Sequence, residues 1–347
     1  MRKIIVGILL FIIICFSIPI SLTQKFKSKD IIATNVENTQ ETEQQQVSVQ
    51  ESADYVYENY GKVKILHTKT NVIEELPIDE YLYGVVSAEM PVNFNIEALK
   101  AQAIVARTYT IYKIIQNSGK HIDADICDDS TCCQAWISKE DRFQKWRENT
   151  DENISKDPDA NWNKIVTAVE STKGNIITYN GQPINAFFHS NSGGKTEIPL
   201  NVWGGSGYPY LQTVETSGED GYTQYFSEIS LNKQEFIEKI KKSHSEFIID
   251  FSIQDSIKIL EYTDGNRVKT VKIGNIEMSG VEARNIFGLK SANFEISLEG
   301  ENIKFKVLGY GHGVGMSQTG ADSLANQGKT AEEIVKHFYT GVELNKI

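Results

Sequence analysis

With 35 lysines and arginines against 46 acidic residues, a net charge of −11, the 347-residue chain lacks the basic footprint that nucleic acid demands. The same balance gives no long-range attraction for an anionic polymer, so such a substrate must be held by local contacts. Beyond the first twenty-two residues about 300 remain, enough for one large core or two domains.

Met1-Arg2-Lys3 is followed by an almost wholly apolar run, Ile4 to Leu22, of about the length that crosses a bilayer as a helix. The two cations place the N-terminus in the cytoplasm and the rest of the chain outside. No A-x-A site is evident, so residues 1–22 read as an uncleaved signal-anchor rather than a signal peptide; either way the protein is exported. Residues 23–54 are rich in Gln, Glu, Asn, Thr and Ser and predict a flexible tether.

The body, residues 55–347, begins with a strand at Lys62–His67 and an extended segment ending at Leu76-Pro77. Asp79 to Glu89 predicts a helix that Pro91 stops, and Asn95 caps a second helix reaching Asn117. Residues 120–160 hold a cysteine cluster and a charged, Trp-containing segment. Asn163–Thr172 predicts a helix, and Asn180-Gly181 predicts a hairpin between Asn175–Tyr179 and Gln182–His189. Residues 230–300 predict an interior module. Within it come a helix at Leu231–Lys242, a hairpin at Asp264-Gly265, a Ser279-Gly280-Val281-Glu282 capping box opening a helix through Ile286, and a strand at Phe294–Leu298; a further strand at Ile303–Leu308 follows. Thr330 to Glu333 is a capping box opening a last helix that ends at Gly341. Helices and antiparallel hairpins mixed without regular alternation predict an α+β fold.

Three groups of residues could carry chemistry. Glu89 is the sole side chain expected to be charged between Glu80 and Glu97. At the last turn of a helix it faces the negative end of the macrodipole, and its apolar neighbours desolvate it; both favour the protonated form a general acid requires. The competing reading is an idle, solvated glutamate. His121, Cys127, Cys132 and Cys133 make a complete tetrahedral set for structural zinc, and a disulfide from Cys127 to Cys132 or Cys133 is the alternative. Two glycine–histidine loops, around His189-Ser190 and Tyr310-Gly311-His312, let backbone approach a ligand closely; two ordinary tight turns would look the same.

Taken together, Ser87-Ala88-Glu89-Met90-Pro91, Glu97 to Ala103, Ala106-Arg107-Thr108-Tyr109, His189 to Gly194, Gly309 to Gln318 and His337 to Gly341 resemble the stage II sporulation protein D family, over roughly residues 60–345. The resemblance implies an α+β body around a glycan-binding cleft. It implies a lytic transglycosylase that cleaves peptidoglycan strands lacking stem peptides during forespore engulfment, leaving anhydro-muramic acid ends. The implied setting is the mother-cell membrane facing the forespore, alongside stage II sporulation proteins P (an amidase) and M. Catalysis falls on Glu89, and structural zinc on His121, Cys127, Cys132 and Cys133, with Cys132 standing where some relatives have histidine. Arg107, His189 and His312 are expected around the cleft as glycan-positioning groups with Ser190, and Gln102, Tyr310 and Gln318 behind them. A non-catalytic glycan-binding enhancer of an amidase or autolysin is the alternative.

Overall fold

The computed structural model describes residues 57–116, 120–205 and 208–347. The expected anchor and tether, residues 1–22 and 23–54, lie outside the described residues, among which no helix is long and apolar enough to cross a membrane.

After a short 3-10 turn at Tyr57–Tyr60, β1 (Lys62–His67) and β2 (Val72–Pro77) form an antiparallel hairpin, with Val63 and Ile65 fully buried and the intervening lysines outside. Helix α1 (Ile78–Glu89) buries Ile78, Tyr81, Leu82, Val85 and Val86. Met90 is extended, as the residue before a proline should be, so the helix ends on Glu89. Helix α2 (Ile96–Gln116) runs through the middle of the body. Its alanines at 98, 101, 103 and 106 are fully buried, which lets neighbouring helices approach its backbone closely.

The two-residue strand β3 (Ile126–Cys127) pairs in parallel with β1 and carries the cysteine segment to that sheet. Helix α3 (Lys139–Glu148), capped by Ser138, occupies the charged stretch for which no element was predicted. Helix α4 (Pro158–Glu170) starts earlier than expected because Asp157 caps it and Pro158 takes its first turn. Between β4 (Asn175–Tyr179) and β5 (Gln182–Pro183), Asn180 and Gly181 both have positive φ, 51° and 74°, the signature of a type I′ turn. The second strand of that hairpin stops at Pro183 rather than reaching His189. Instead β6 (Phe188–His189) pairs in parallel with a distant segment and is followed by a short helix, α5 (Pro199–Trp203).

The interior module spans residues 226–308, somewhat more than expected. Strand β7 (Phe226–Asn232) takes Leu231, and a full capping box at Asn232 and Glu235 then sets the start of α6 (Lys233–Lys241). The meander β8 (Ile257–Tyr262), β9 (Val268–Ile273) and β10 (Ile276–Ser279) leads into α7 (Gly280–Phe287), and β11 (Phe294–Glu299) and β12 (Asn302–Leu308) complete the sheet β11-β12-β7. The module has its own apolar cluster, in which Phe236 stacks on Phe287 at 5.0 Å. Its two ends meet where Gly309 N–H donates to the Tyr225 carbonyl at 2.7 Å.

The chain closes with β13 (Met316–Ser317), the partner of β6, then α8 (Gln318–Asn326), α9 (Ala331–Phe338) and β14 (Glu343–Lys346), which pairs with β4. The Thr330–Glu333 capping box is present in both halves, but the last helix ends at Phe338, short of Gly341. The fold is α+β, as expected.

Candidate active site

Glu89 is half-buried at the C-terminal end of α1. Its Oε1 accepts the Ala135 backbone N–H at 2.7 Å and its Oε2 accepts Gln318 Nε2 at 3.2 Å. Burial raises its pKa above the ordinary carboxylate range, and the two hydrogen bonds, which favour the charged form, only partly oppose this. Two hollows meet at Glu89, Ser190 and Gln318. The smaller, about 360 Å³, is bounded by Pro91, Phe94, Arg142, Lys145 and Trp146. The larger, about 840 Å³, runs past His189, Trp203, Arg284, Lys290, Tyr310 and His312. Among the described residues lining either hollow, Glu89 is the sole carboxylate.

The parallel pairing of β6 with β13 sets His189 opposite Ser317 and so brings both glycine–histidine loops to the cleft. His189 Nδ1 lies 3.2 Å from the Val314 carbonyl, and burial together with the Arg267 cation pushes its pKa down to about 3. His312 Nδ1 accepts the Val314 N–H at 3.0 Å, which places any proton of the neutral ring on Nε2. Burial, His189 and two arginines hold His312 well below its usual pKa. Both imidazoles are therefore neutral, with the His312 ring centroid 5.0 Å from that of the exposed Trp203. Ser190 lines both hollows, and its carbonyl accepts the Thr319 N–H.

Two expected cleft residues lie elsewhere. Arg107 is fully buried: its guanidinium donates to the carbonyls of Thr172 at 2.8 Å and Val169 at 3.1 Å and lies 3.5 Å from Asp79. It closes the C-terminal end of α4, where helix carbonyls lack partners, and lines neither hollow. Gln102 is fully buried in α2 with its amide unbonded, and it too stays out of the cleft. Sequence reading passed over Ala135, whose N–H reaches Glu89, and Arg142, Lys145, Trp146, Trp203, Arg284 and Lys290, which line the two hollows. The Trp-containing charged stretch was the available signal for three of them; a backbone N–H such as that of Ala135 leaves none.

His121, Cys127, Cys132 and Cys133 do come together: one ligand atom from each lies within 4.8 Å of the others. The cysteines are free thiols, so the disulfide alternative is not formed. His121 Nε2 is 3.4 Å from Cys133 Sγ and 3.5 Å from Cys132 Sγ, and the two sulfurs are 3.7 Å apart. These separations match the edges of a tetrahedron with metal–ligand bonds of about 2.0–2.3 Å. Burial and Lys120 lower the His121 pKa, keeping the imidazole in the neutral form that binds metal. The next two residues lead directly to the acid: Gln134 Nε2 donates to Tyr81 Oη at 2.8 Å and Thr110 Oγ1 at 3.0 Å, and Ala135 donates to Glu89.

Residues 66–179, which include Glu89 and the whole cysteine cluster, match the family described as stage II sporulation protein. "Stage II sporulation protein D" of Bacillus amyloliquefaciens is 33% identical over 331 residues, 95% of this chain and 92% of that protein. The protein of that name from Bacillus subtilis (strain 168) is 35% identical over 285 residues, 82% of this chain and 79% of that one. An "Amidase enhancer" of Bacillus subtilis (strain 168) is 29% identical over 312 residues, 76% of this chain and 40% of that protein. With this identity over nearly its full length, the chain belongs to the stage II sporulation protein D family of sporulation proteins.

Proposed function

We propose that the protein is a lytic transglycosylase acting on peptidoglycan strands from which stem peptides have been removed, with Glu89 as its single catalytic acid and base. The observation that carries this reading is the position of Glu89: one desolvated carboxyl at the junction of two hollows, with no second carboxylate among the described residues lining either. Hydrolytic glycosidases place two carboxylates about the scissile bond. One suffices where the substrate supplies its own nucleophile. Protonated Glu89 gives its proton to the glycosidic oxygen, and the resulting carboxylate then takes the proton of the muramyl primary hydroxyl as that oxygen closes onto the anomeric carbon. No water enters the bond change, and an anhydro-muramic acid end results. The neutral His189 and His312, with Ser190, Tyr310 and Gln318, form the glycan-positioning wall.

The His121–Cys127–Cys132–Cys133 set fits structural zinc, leaving no coordination position open for chemistry. When bound, zinc supplies folding free energy to the loop that ends on Ala135. Residues 1–22 serve as the membrane anchor that presents the body to the wall between mother cell and forespore, and the partners are stage II sporulation proteins P and M.

The similarity to a protein named amidase enhancer favours a second reading, a glycan binder without catalysis. Incubating the full-length protein with peptide-free glycan strands and weighing the products separates the two. Release of anhydro-ended fragments that stops in Glu89→Gln supports the enzyme. Equal release from Glu89→Gln removes Glu89 from the mechanism, and no release from either protein favours the binder.

A further inference from the structure

At the larger hollow the acidic net charge of this chain gives way to two cations, Arg284 and Lys290, with Glu89 the one carboxyl among the described lining residues. Both cations come from the interior module, Arg284 from α7 and Lys290 from the loop after it. Some lysines of the module have acidic partners, as Lys233 has Glu301, Lys269 has Glu261 and Lys304 has Glu228. Arg284 and Lys290 have none among the described residues. The Arg284 Nε donates to the Leu289 carbonyl at 3.3 Å, which anchors the guanidinium, while its terminal nitrogens have no hydrogen-bond partner among the described residues. Lys290 Nζ stands 4.3 Å over the Tyr310 ring, held by a cation–π contact rather than by a carboxylate. Leaving a half-buried guanidinium without a counter-charge costs free energy, and a ligand anion offsets that cost.

We propose that Arg284 and Lys290 are the carboxylate-reading residues of the cleft, taking the free lactyl carboxylate of a muramyl sugar beside the bond that Glu89 cleaves. This rests on the transglycosylase reading above and gives the interior module a role in specificity. The planar guanidinium suits a bidentate carboxylate contact, and the lysine adds a mobile second charge. A stem peptide on the lactyl group turns that carboxylate into a neutral amide.

The test is equilibrium binding by the full-length Glu89→Gln protein, which does not consume its ligand. Peptide-free glycan strands are compared with neutral N-acetylglucosamine oligomers of equal length. The expected result is about tenfold tighter binding of the carboxylate-bearing strand, with the difference shrinking as salt rises from about 50 to about 500 mM. Adding Arg284→Gln and Lys290→Gln should remove that preference while leaving the neutral oligomer's affinity unchanged, and Arg284→Lys should restore part of it. Lys290→Gln alone, at an exposed position, guards against misfolding and should lose a share of the preference. Equal affinity for the two ligands in the parent, or variants that weaken both ligands alike, overturns the proposal. Because no turnover is measured, either outcome leaves the separate anhydro-product test of Glu89 standing.

Discussion

Glu89 is held in conflict, since burial raises its pKa while Ala135 and Gln318 donate hydrogen bonds to its charged form. A carboxyl whose folded pKa lies above its unfolded value contributes nothing below the unfolded pKa, where both states are protonated. It destabilises the fold as pH rises through that value toward the folded pKa, and the penalty is complete above it. Glu89→Gln should therefore melt at a higher temperature than the parent near pH 7, with the advantage fading to nothing by about pH 4. Melting curves across that range check this, and a pH-independent difference would contradict it. Replacing Gln318 by Leu removes a donor to the charged form, so the alkaline limb of activity should move to higher pH; a shift the other way would mean the bond serves the protonated acid. Arg107 shows where reading at this scale stops. A polar residue on a helix of small residues looks like a cleft group, but the carbonyls it serves, at Val169 and Thr172, are more than sixty residues away and carry no side-chain signal. Arg107→Met should cost about 3 kcal/mol of stability, measured by urea unfolding, without changing the glycan affinity of the folded fraction.

Elements were legible where the code is local. Asn180-Gly181 delivered its turn, Thr330 and Glu333 their capping box, and Pro91 the end of α1. The Ser279 cap also formed, although the Glu282 side chain turned away to His244 at 2.8 Å instead of reaching back to the cap. Illegible were the parallel contacts, β1 with β3 and β6 with β13, because a two-residue strand has no periodicity and its partner lies far along the chain. Those contacts build the site: β3 brings the cysteine loop to α1, and β6 brings His189 to α8. The loop from His121 to Ala135 is thus the element that couples the metal ligands to the acid. Stripping metal with a chelator, or making Cys127→Ser, should lower the Tm by about 5 °C or more. A Tm indifferent to both treatments would mean that the cluster is held together by packing alone.

At the scale of the molecule, two apolar clusters, one in the body and one in the module of residues 226–308, must act as one for Arg284 and Lys290 to face Glu89. Arg267 joins them. It leaves the β8–β9 hairpin almost fully buried and donates to the carbonyls of Lys195 and Ser192, both at 2.9 Å, on the loop that continues from Ser190. Burial brings its pKa down to about 10, still high enough to stay charged, and Glu197 and Glu219 supply the nearby negative charge. Gly313 has no side chain to obstruct it; a Cβ there would collide with the guanidinium. Arg267→Met keeps the length but leaves those carbonyls unpaired, at a cost of about 3 kcal/mol falling on the junction rather than on either core. The four tryptophans, Trp136, Trp146, Trp162 and Trp203, all belong to the body, so their fluorescence follows the body alone while far-UV circular dichroism follows both parts. In urea the parent should give superimposable curves by the two probes, as a single cooperative unit does. In Arg267→Met the dichroism curve should separate from the fluorescence curve as the module unfolds on its own. Coincident curves in the variant would show that the two cores are joined by contacts other than this arginine.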